Sequence, residues 1–140
     1  MLQPMPIPQL LEEWLLNASW TADPKNIGIE NPHFLGFDEF LWVVQDFPEH
    51  AWQAILAVVA DPRAEPFLGN LAAGPMEDLL SYHGDTFIDR VEAEAKKDPK
   101  FSYMLGGVWQ FQMSEKIWNR VQTVWDRRGW DGIPKKDANI

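Results

Sequence analysis

The side chains best suited to catalysis or metal binding lie close together in the sequence, at Glu77, Asp78 and His83. On a helix, Glu77 lies on the same face as Ser81, and Asp78 lies on the next face with Tyr82. Two carboxylates can then lie near one imidazole, and general acid–base catalysis or a metal site requires such a combination. One hypothesis is therefore a small enzyme or metal-binding protein that uses this cluster.

A structural role explains the same cluster, and it is the interpretation we favour. No second histidine lies within a helical turn of His83, and the sequence contains no His-Glu-x-x-His motif. A histidine at the end of a helix binds free backbone carbonyls, while Asp78, Asp85 and Arg90 form an ionic network between packed helices. We therefore assign no catalytic residue, no metal ligand and no cofactor, and we favour a protein that is not an enzyme.

Trp109 and Gln110 follow two glycines, Gly106 and Gly107. Glycines allow a close approach of another part of the backbone, and an aromatic side chain beside a polar one is typical of binding interfaces. The alternative, which we favour for Trp109, is a position in the core. A basic side chain such as that of Arg120 can hold an anion. The candidate binding residues are Glu77, Asp78, His83, Trp109, Gln110 and Arg120.

The sequence contains eight tryptophans, too many for all of them to be buried completely. Three of these lie nearest to irregular segments, so we expect any exposed aromatic patch to contain Trp20, Trp42 and Trp130. The sequence has no glycine-rich nucleotide loop, no Gly-x-Ser-x-Gly elbow and no cysteine. These absences exclude the common nucleotide-binding and nucleophile motifs, a disulfide framework and a thiolate zinc site.

Apolar residues recur at helical spacing along most of the chain. This spacing predicts a first helix over residues 8–20 and a second from Phe37 or Asp38 to about Phe47, with an irregular connection between them. The residues of the second helix that are expected to face inward are Phe37, Phe40, Leu41 and Val44. Three later helices, which begin near Ala51, Phe87 and Ile117, place apolar residues at i, i+1, i+4, i+7 and i+8, except for Glu94 at position i+7 of the second. No stretch alternates between apolar and polar residues, so we predict an all-α fold without a sheet.

A local pattern occurs twice, 37 residues apart. Asp61-Pro62-Arg63 leads to Phe67-Leu68-Gly69, and Asp98-Pro99-Lys100 leads to Met104-Leu105-Gly106. In each copy the aspartate can cap a helix and the proline can occupy its first position. Helix pairs in tandem stack into solenoids, so we predict stacked helical hairpins like HEAT or armadillo repeats, or an irregular helical bundle.

The element boundaries predict one helical domain over residues 1–130. Within it, we expect capping helices over 8–47 and helical-hairpin repeats over 48–128, followed by a flexible tail at 131–140. Gly74-Pro75 is predicted to end a helix, and His83-Gly84 is predicted to close the short helix that follows it.

The formal net charge is −9, and the acidic side chains are concentrated in the first third of the chain. Residues 1–48 contain seven acidic side chains and a single base, Lys25. This surface repels phosphate backbones, so we expect no nucleic-acid partner and instead a basic protein partner. The N-terminus lacks the features of a signal peptide and no apolar run is long enough to span a membrane, so we expect a cytoplasmic protein without a membrane partner.

Several motifs resemble those of an uncharacterised family of small bacterial proteins, classed as a domain of unknown function. The matching segments are Asn70 to Leu80, His83-Gly84, Ile88 to Glu92, Leu105 to Gln110, and Trp118 to Val121. The resemblance covers roughly residues 49–125 and implies a bacterial setting but no reaction. It also implies that five polar positions are typical of the family: Glu77, Asp78, His83, Gln110 and Arg120.

The hypothesis that these observations favour is a non-enzymatic, acidic protein-binding module. Stacked hairpins offer a continuous binding surface, and a net negative charge accelerates association with a basic partner. An inhibitor or immunity-type protein would have these properties. The enzyme or metal-binding hypothesis stays open as the alternative, and a homodimer that packs exposed tryptophans together is a third hypothesis.

Overall fold

The computed structural model describes residues 2–130, which form helices and connections and contain no strand. The helices are α1 (Ile7–Ala22), α2 (Phe34–Asp46), α3 (Pro48–Ala60), α4 (Leu68–Leu71), α5 (Glu77–Lys97), α6 (Pro99–Leu105) and α7 (Glu115–Val124). Two 3₁₀ turns (Pro24–Asn26 and Pro62–Phe67) and one π turn (Ala72–Met76) lie between them. The all-α prediction is confirmed. The tail predicted at residues 131–140 lies outside the described residues.

The core contains most of the apolar residues that the helical pattern predicts, but Trp118 and Val124 of α7 are only partly buried. Buried side chains at the predicted spacing are Ala51, Trp52, Ile55, Val58 and Val59 of α3, Phe87, Ile88, Val91 and Ala95 of α5, and Ile117 and Val121 of α7. The ring of Trp52 lies 6.0 Å from that of Phe87 and 5.7 Å from that of Phe101. No helix within residues 2–130 is long and apolar enough to cross a bilayer.

Helices α1 and α2 pack against each other through a glycine. A Cβ at Gly36 would overlap the carbonyl group of Glu13, so the two backbones touch at this position. Phe40 and Val44 of α2 are buried as the pattern predicts, but Phe37 is 48% exposed. The inward placement predicted for Phe37 is wrong, because the close α1–α2 crossing leaves its face of the helix outside the core.

The two Asp-Pro segments have the same start and different continuations. Asp61 accepts a hydrogen bond from the N–H of Arg63 at 2.9 Å, and Asp98 accepts one from the N–H of Lys100 at 3.0 Å. The first copy then continues as the 3₁₀ turn, which contains Pro66, whereas the second continues as α6. Proline has no N–H for a helical hydrogen bond, which explains the difference. The HEAT-like arrangement stays a prediction.

The helix end predicted at Gly74-Pro75 is wrong, whereas the break predicted at His83-Gly84 is present but lacks the predicted glycine cap. Gly74 and Pro75 lie inside the π turn, which runs directly into α5, because the missing N–H of proline widens the helix instead of ending it. Helix α5 bends at His83, which has φ −137° and ψ 29°, and then continues to Lys97. Gly84 is buried, and a Cβ there would lie 3.2 Å from Ile117 of α7. This glycine therefore permits helix packing and does not form a cap.

Candidate functional site

The first turn of α5 presents two adjacent carboxylates, Glu77 and Asp78, and both side chains are partly buried. Glu77 accepts a hydrogen bond through Oε2 from the backbone N–H of Trp109 at 3.3 Å. One turn later, the hydroxyl of Ser81 accepts a hydrogen bond from the N–H of Gln112 at 3.2 Å. These two bonds hold the loop of residues 106–114 alongside the start of α5.

Burial raises the pKa of both carboxyl groups. For Glu77, the hydrogen bond from Trp109 opposes this effect on the pKa, and the neighbouring charge of Asp78 adds to it. Within the part of the chain that the structure describes, neither carboxylate forms an ion pair. The two negative charges are thus partly removed from water without a cation beside them, and such environments are typical of functional sites.

Exposed aromatic side chains lie along the same part of the molecule. Trp109 is 57% exposed and Phe111 is 56% exposed, and both belong to the loop that is bonded to α5. The core position favoured for Trp109 is therefore wrong. Tyr82 of α5 is also exposed. We call the group of Glu77, Asp78, Tyr82, Trp109 and Phe111 the α5–loop surface. It combines acidic groups with aromatic rings that the rest of residues 2–130 leaves exposed.

The position of Trp109 depends on Arg127. The guanidinium of Arg127 lies 5.0 Å from the ring centre of Trp109 and 4.9 Å from that of Trp125, and it donates a hydrogen bond to the carbonyl of Gly106 at 2.6 Å. This cation–π contact restricts the indole before any partner binds. The loop therefore presents an aromatic side chain whose orientation is already defined.

The tryptophans predicted to be exposed are partly buried instead. Trp20 and Trp42 pack their rings against those of His33 and Phe47 respectively. Trp130 donates a hydrogen bond from Nε1 to the carbonyl of Tyr103 at 2.9 Å. The prediction is wrong because all three indoles pack against other aromatic rings, in the case of Trp130 against that of Tyr103. The close approach predicted at Gly106 and Gly107 is present, since Cβ atoms there would touch Trp130.

Gln110 and His83 have structural contacts rather than contacts with Glu77. The Nε2 of Gln110 donates to the carbonyl of Met113 and to Oε1 of Glu115, both at 3.2 Å, which ties the loop to α7. The Nε2 of His83 lies 3.2 Å from the carbonyl oxygen of Gln45, near the end of α2. A cleft of about 390 Å³ beside His83 is lined by neither Glu77 nor Asp78.

Arg120 forms a separate ionic group with α5. Its Nε and Nη2 bind the two carboxylate oxygens of Glu92 at 2.9 and 2.6 Å, and Nη2 also binds Asp89 at 2.6 Å. These carboxylates raise the pKa of Arg120, and the hydrogen bond from Arg120 lowers the pKa of Glu92. Glu92 and Asp89 lie beyond the bend of α5 at His83, and neither belongs to the α5–loop surface. Arg120 is therefore not brought to the α5–loop surface.

The ionic network predicted among Asp78, Asp85 and Arg90 is wrong. Arg90 pairs with Glu49 of α3 and lies over the ring of Phe87. The bend at His83 changes the direction of α5 between Asp78 and Arg90, so spacing along a straight helix does not describe their positions. Among residues 2–130, no three His, Cys, Asp or Glu side chains form a group that could hold a metal ion.

Replacing Asp78 by asparagine is expected to stabilise the protein at about pH 7, by at most about 1 kcal/mol, because Asp78 is only partly removed from water. The folded state binds the proton of Asp78 more tightly than the unfolded state, since burial raises its pKa. Asp78 therefore contributes stability at low pH and loses this contribution as the pH rises through its raised pKa. Urea titrations from about pH 3 to 7 should show the gain of Asp78→Asn disappearing at the acidic end.

Glu92→Gln is the control, because it is expected to change stability at neutral pH in the opposite direction. Arg120 lowers the pKa of Glu92, so Glu92 contributes stability at neutral pH and loses it as the pH falls through its lowered pKa. The variant should be less stable than the wild type at about pH 7. A loss of stability in Asp78→Asn at neutral pH would contradict the proposed effect of burial on this carboxylate.

Two features of the surface are not predicted by the sequence pattern: the exposure of Tyr82 and Phe111, and a second apolar surface around residues 27–37. Phe34, Leu35 and Phe37 are each about half exposed. A signal for this surface was present, because these residues follow Pro32 within one helical turn and so cannot all face a single core.

Residues 29–129 match the model of a family described as a family of unknown function, DUF6869. The match begins about 20 residues before the segment in which the sequence motifs were noted, and it includes α2 through α7. No curated protein and no solved structure matches the chain.

Proposed function

We propose that this chain, which belongs to that family of unknown function, is a non-enzymatic module that binds a basic protein partner through the α5–loop surface. The observation that carries the proposal is the pair of partly buried carboxylates, Glu77 and Asp78, beside the exposed indole of Trp109. A lysine or arginine of a partner would supply the missing positive charge, and the indole would pack against the partner's apolar atoms.

The distribution of ion pairs supports a partner of positive charge. At least six of the ten Lys and Arg side chains in residues 2–130 already form ion pairs: Arg63, Arg90, Lys97, Lys100, Arg120 and Arg128. Several acids in the same residues have no ion pair, including Glu77, Asp78, Asp46 and Asp85. The uncompensated charge is therefore negative, and it would accelerate the approach of a basic protein.

An inhibitor or immunity-type role agrees with this chemistry. A toxin or nuclease that acts on nucleic acid needs a basic surface of its own. An acidic module that covers this surface would exclude the phosphate backbone, and it would need no catalytic group. The proposal therefore depends on the charge and shape of the α5–loop surface. It assigns no role to His83.

The proposal is tested by purifying the tagged chain from its source cells at low ionic strength. We expect a basic protein to be retained, to dissociate as the salt concentration rises, and to be lost in Trp109→Ala and in the double variant Glu77→Gln, Asp78→Asn. The double variant Asp46→Asn, Asp85→Asn is the matched control, because it removes the same two charges from exposed positions. It should retain the partner.

Two results would contradict the proposal. If the control double variant loses the partner as fully as Glu77→Gln, Asp78→Asn does, net charge and not this surface determines binding. If the wild type sediments as a dimer and Trp109→Ala sediments as a monomer, the surface binds a second copy of the chain.

A further inference from the structure

A second surface is a groove of about 330 Å³ between α1, the start of α2 and the π turn. Trp14 of α1 and Phe34 and Phe37 of α2 supply its apolar walls. The two phenylalanine rings stack on each other with their centres 5.4 Å apart. The groove lies at the low end of the size range of ligand sites and has room for one or two side chains.

The apolar surface extends beyond the groove. Ile27 and Ile29, in the connection before α2, are 82% and 56% exposed, and Leu35 beside the groove is 54% exposed. Half of the large apolar side chains that are exposed in residues 2–130 lie between residues 27 and 37. Several exposed apolar side chains within one short segment mark an interaction site more often than an isolated exposed side chain does.

Amide side chains in the groove can bind a peptide backbone. Asn31 donates a hydrogen bond to Oδ1 of Asn17 at 2.8 Å and accepts one from the N–H of His33 at 2.7 Å. The amide N–H groups of Asn17 and the side chain of Asn70 have no hydrogen-bond partner within the described chain. An amide offers both donors and an acceptor, which match the N–H and C=O of an extended peptide.

The acids beside the groove favour a basic occupant. Glu30 directly precedes Asn31, and Asp38 directly follows Phe37, so both belong to the segment that lines the groove. Both are exposed, and neither forms an ion pair among residues 2–130. A second copy of the chain would bring like charges together at these positions, which disfavours a symmetric dimer here.

We propose that this groove binds an extended peptide segment in which an apolar side chain is flanked by lysine or arginine. The apolar side chain enters between Trp14 and the phenylalanine pair, the free amides bind the peptide backbone, and the basic side chains lie near Glu30 and Asp38. This site uses none of the residues of the α5–loop surface. The inference therefore goes beyond the proposed function and can be tested independently of it.

Gly74 provides the test, because it lines the groove and no atom lies within 4 Å of a Cβ built on it. Its φ lies outside the left-handed region, and Gly74→Leu would place a side chain in the groove. Because Pro75 follows and disfavours a helical conformation for a residue with a Cβ, circular dichroism first checks that the variant folds. The probe is a randomised peptide library displayed on phage. We expect the enriched peptides to carry an apolar residue beside Lys or Arg. Synthetic copies should bind Gly74→Leu about tenfold or more weakly than the wild type.

Ala93→Leu is the matched control, since it adds the same side chain at an exposed helical position of α5. It should bind the peptides as the wild type does, and so should Trp109→Ala. If Gly74→Leu does not fold, the double variant Glu30→Lys, Asp38→Lys replaces it, because both positions are exposed. This variant should weaken binding of the same peptides by a similar factor.

The proposal is overturned if no peptide is enriched, if the enriched peptides lack basic residues, or if Gly74→Leu binds them as tightly as the wild type. It is also overturned if the wild type self-associates and Gly74→Leu is a monomer in sedimentation experiments, because a second copy then occupies the groove. Loss of peptide binding in Trp109→Ala alone would place the peptide on the α5–loop surface instead.

Discussion

Gly36→Ala is expected to lower the free energy of unfolding by about 3 kcal/mol. The added methyl group would overlap the carbonyl oxygen and carbon of Glu13 and would lie 3.0 Å from the backbone nitrogen of Trp14. These are atoms of the α1 backbone and cannot rotate away as a flexible side chain can. Helices α1 and α2 must separate to accommodate the methyl group, and the groove between them must change with them.

Urea titrations followed by circular dichroism measure this loss. Gly69→Ala is the matched control, because its methyl group would lie at an ordinary contact distance, 3.4 Å, from the ring of Trp130 and its φ is not positive. It should be as stable as the wild type or slightly more stable, since alanine restricts the unfolded chain more than glycine does. Equal unfolding midpoints for the two variants would contradict the tight crossing of α1 and α2.

Gly106→Ala is expected to have an effect of similar size, about 3 kcal/mol. Its methyl group would overlap the carbonyl oxygen of Asp126 and would lie 2.9 Å from Cδ1 of Trp130. The backbone of Asp126 is itself bonded to the carbonyl of Ser102 at 2.9 Å. The segment after α7 must therefore move, and Arg127 moves with it away from Trp109.

The same titration measures the stability of Gly106→Ala, and Gly69→Ala is its control. A Cβ at Gly69 lies at an ordinary contact distance, 3.4 Å, from the ring of Trp130, so this variant should change stability little. Because Arg127 supports Trp109, Gly106→Ala should also weaken binding of a partner to the α5–loop surface. A variant that is as stable as Gly69→Ala would contradict the close packing at Gly106.

The parts of the fold that were predicted correctly depend on residues close together in sequence. The hydrogen bonds of Asp61 and Asp98 reach only two residues ahead, so the Asp-Pro pattern identifies them directly. Helical spacing likewise places Trp52 and Phe87 in the core. The same reasoning was wrong at Gly84, because a glycine near the end of a pattern indicates a cap as readily as a close contact with another helix.

The candidate site was predicted only in part. Glu77, Asp78 and Trp109 were named from composition and spacing, and a hydrogen bond between Glu77 and Trp109 joins two of them. His83 and Arg120 were named on the same grounds, yet they contact Gln45 and Glu92 respectively. Spacing indicates which residues share a helix face, but it does not indicate which neighbouring element that face meets.

The sequence by itself determined the helical class, the two aspartate caps and the excess of negative charge, because these follow from local hydrogen bonding, periodicity and composition. Only the tertiary structure decided which aromatic side chains are exposed and which acids have no cation beside them. Both depend on contacts between residues far apart in the chain, such as Arg127 with Trp109 and Gly36 with Glu13. A sequence pattern does not determine such contacts, because several different helix packings would bury the same apolar residues.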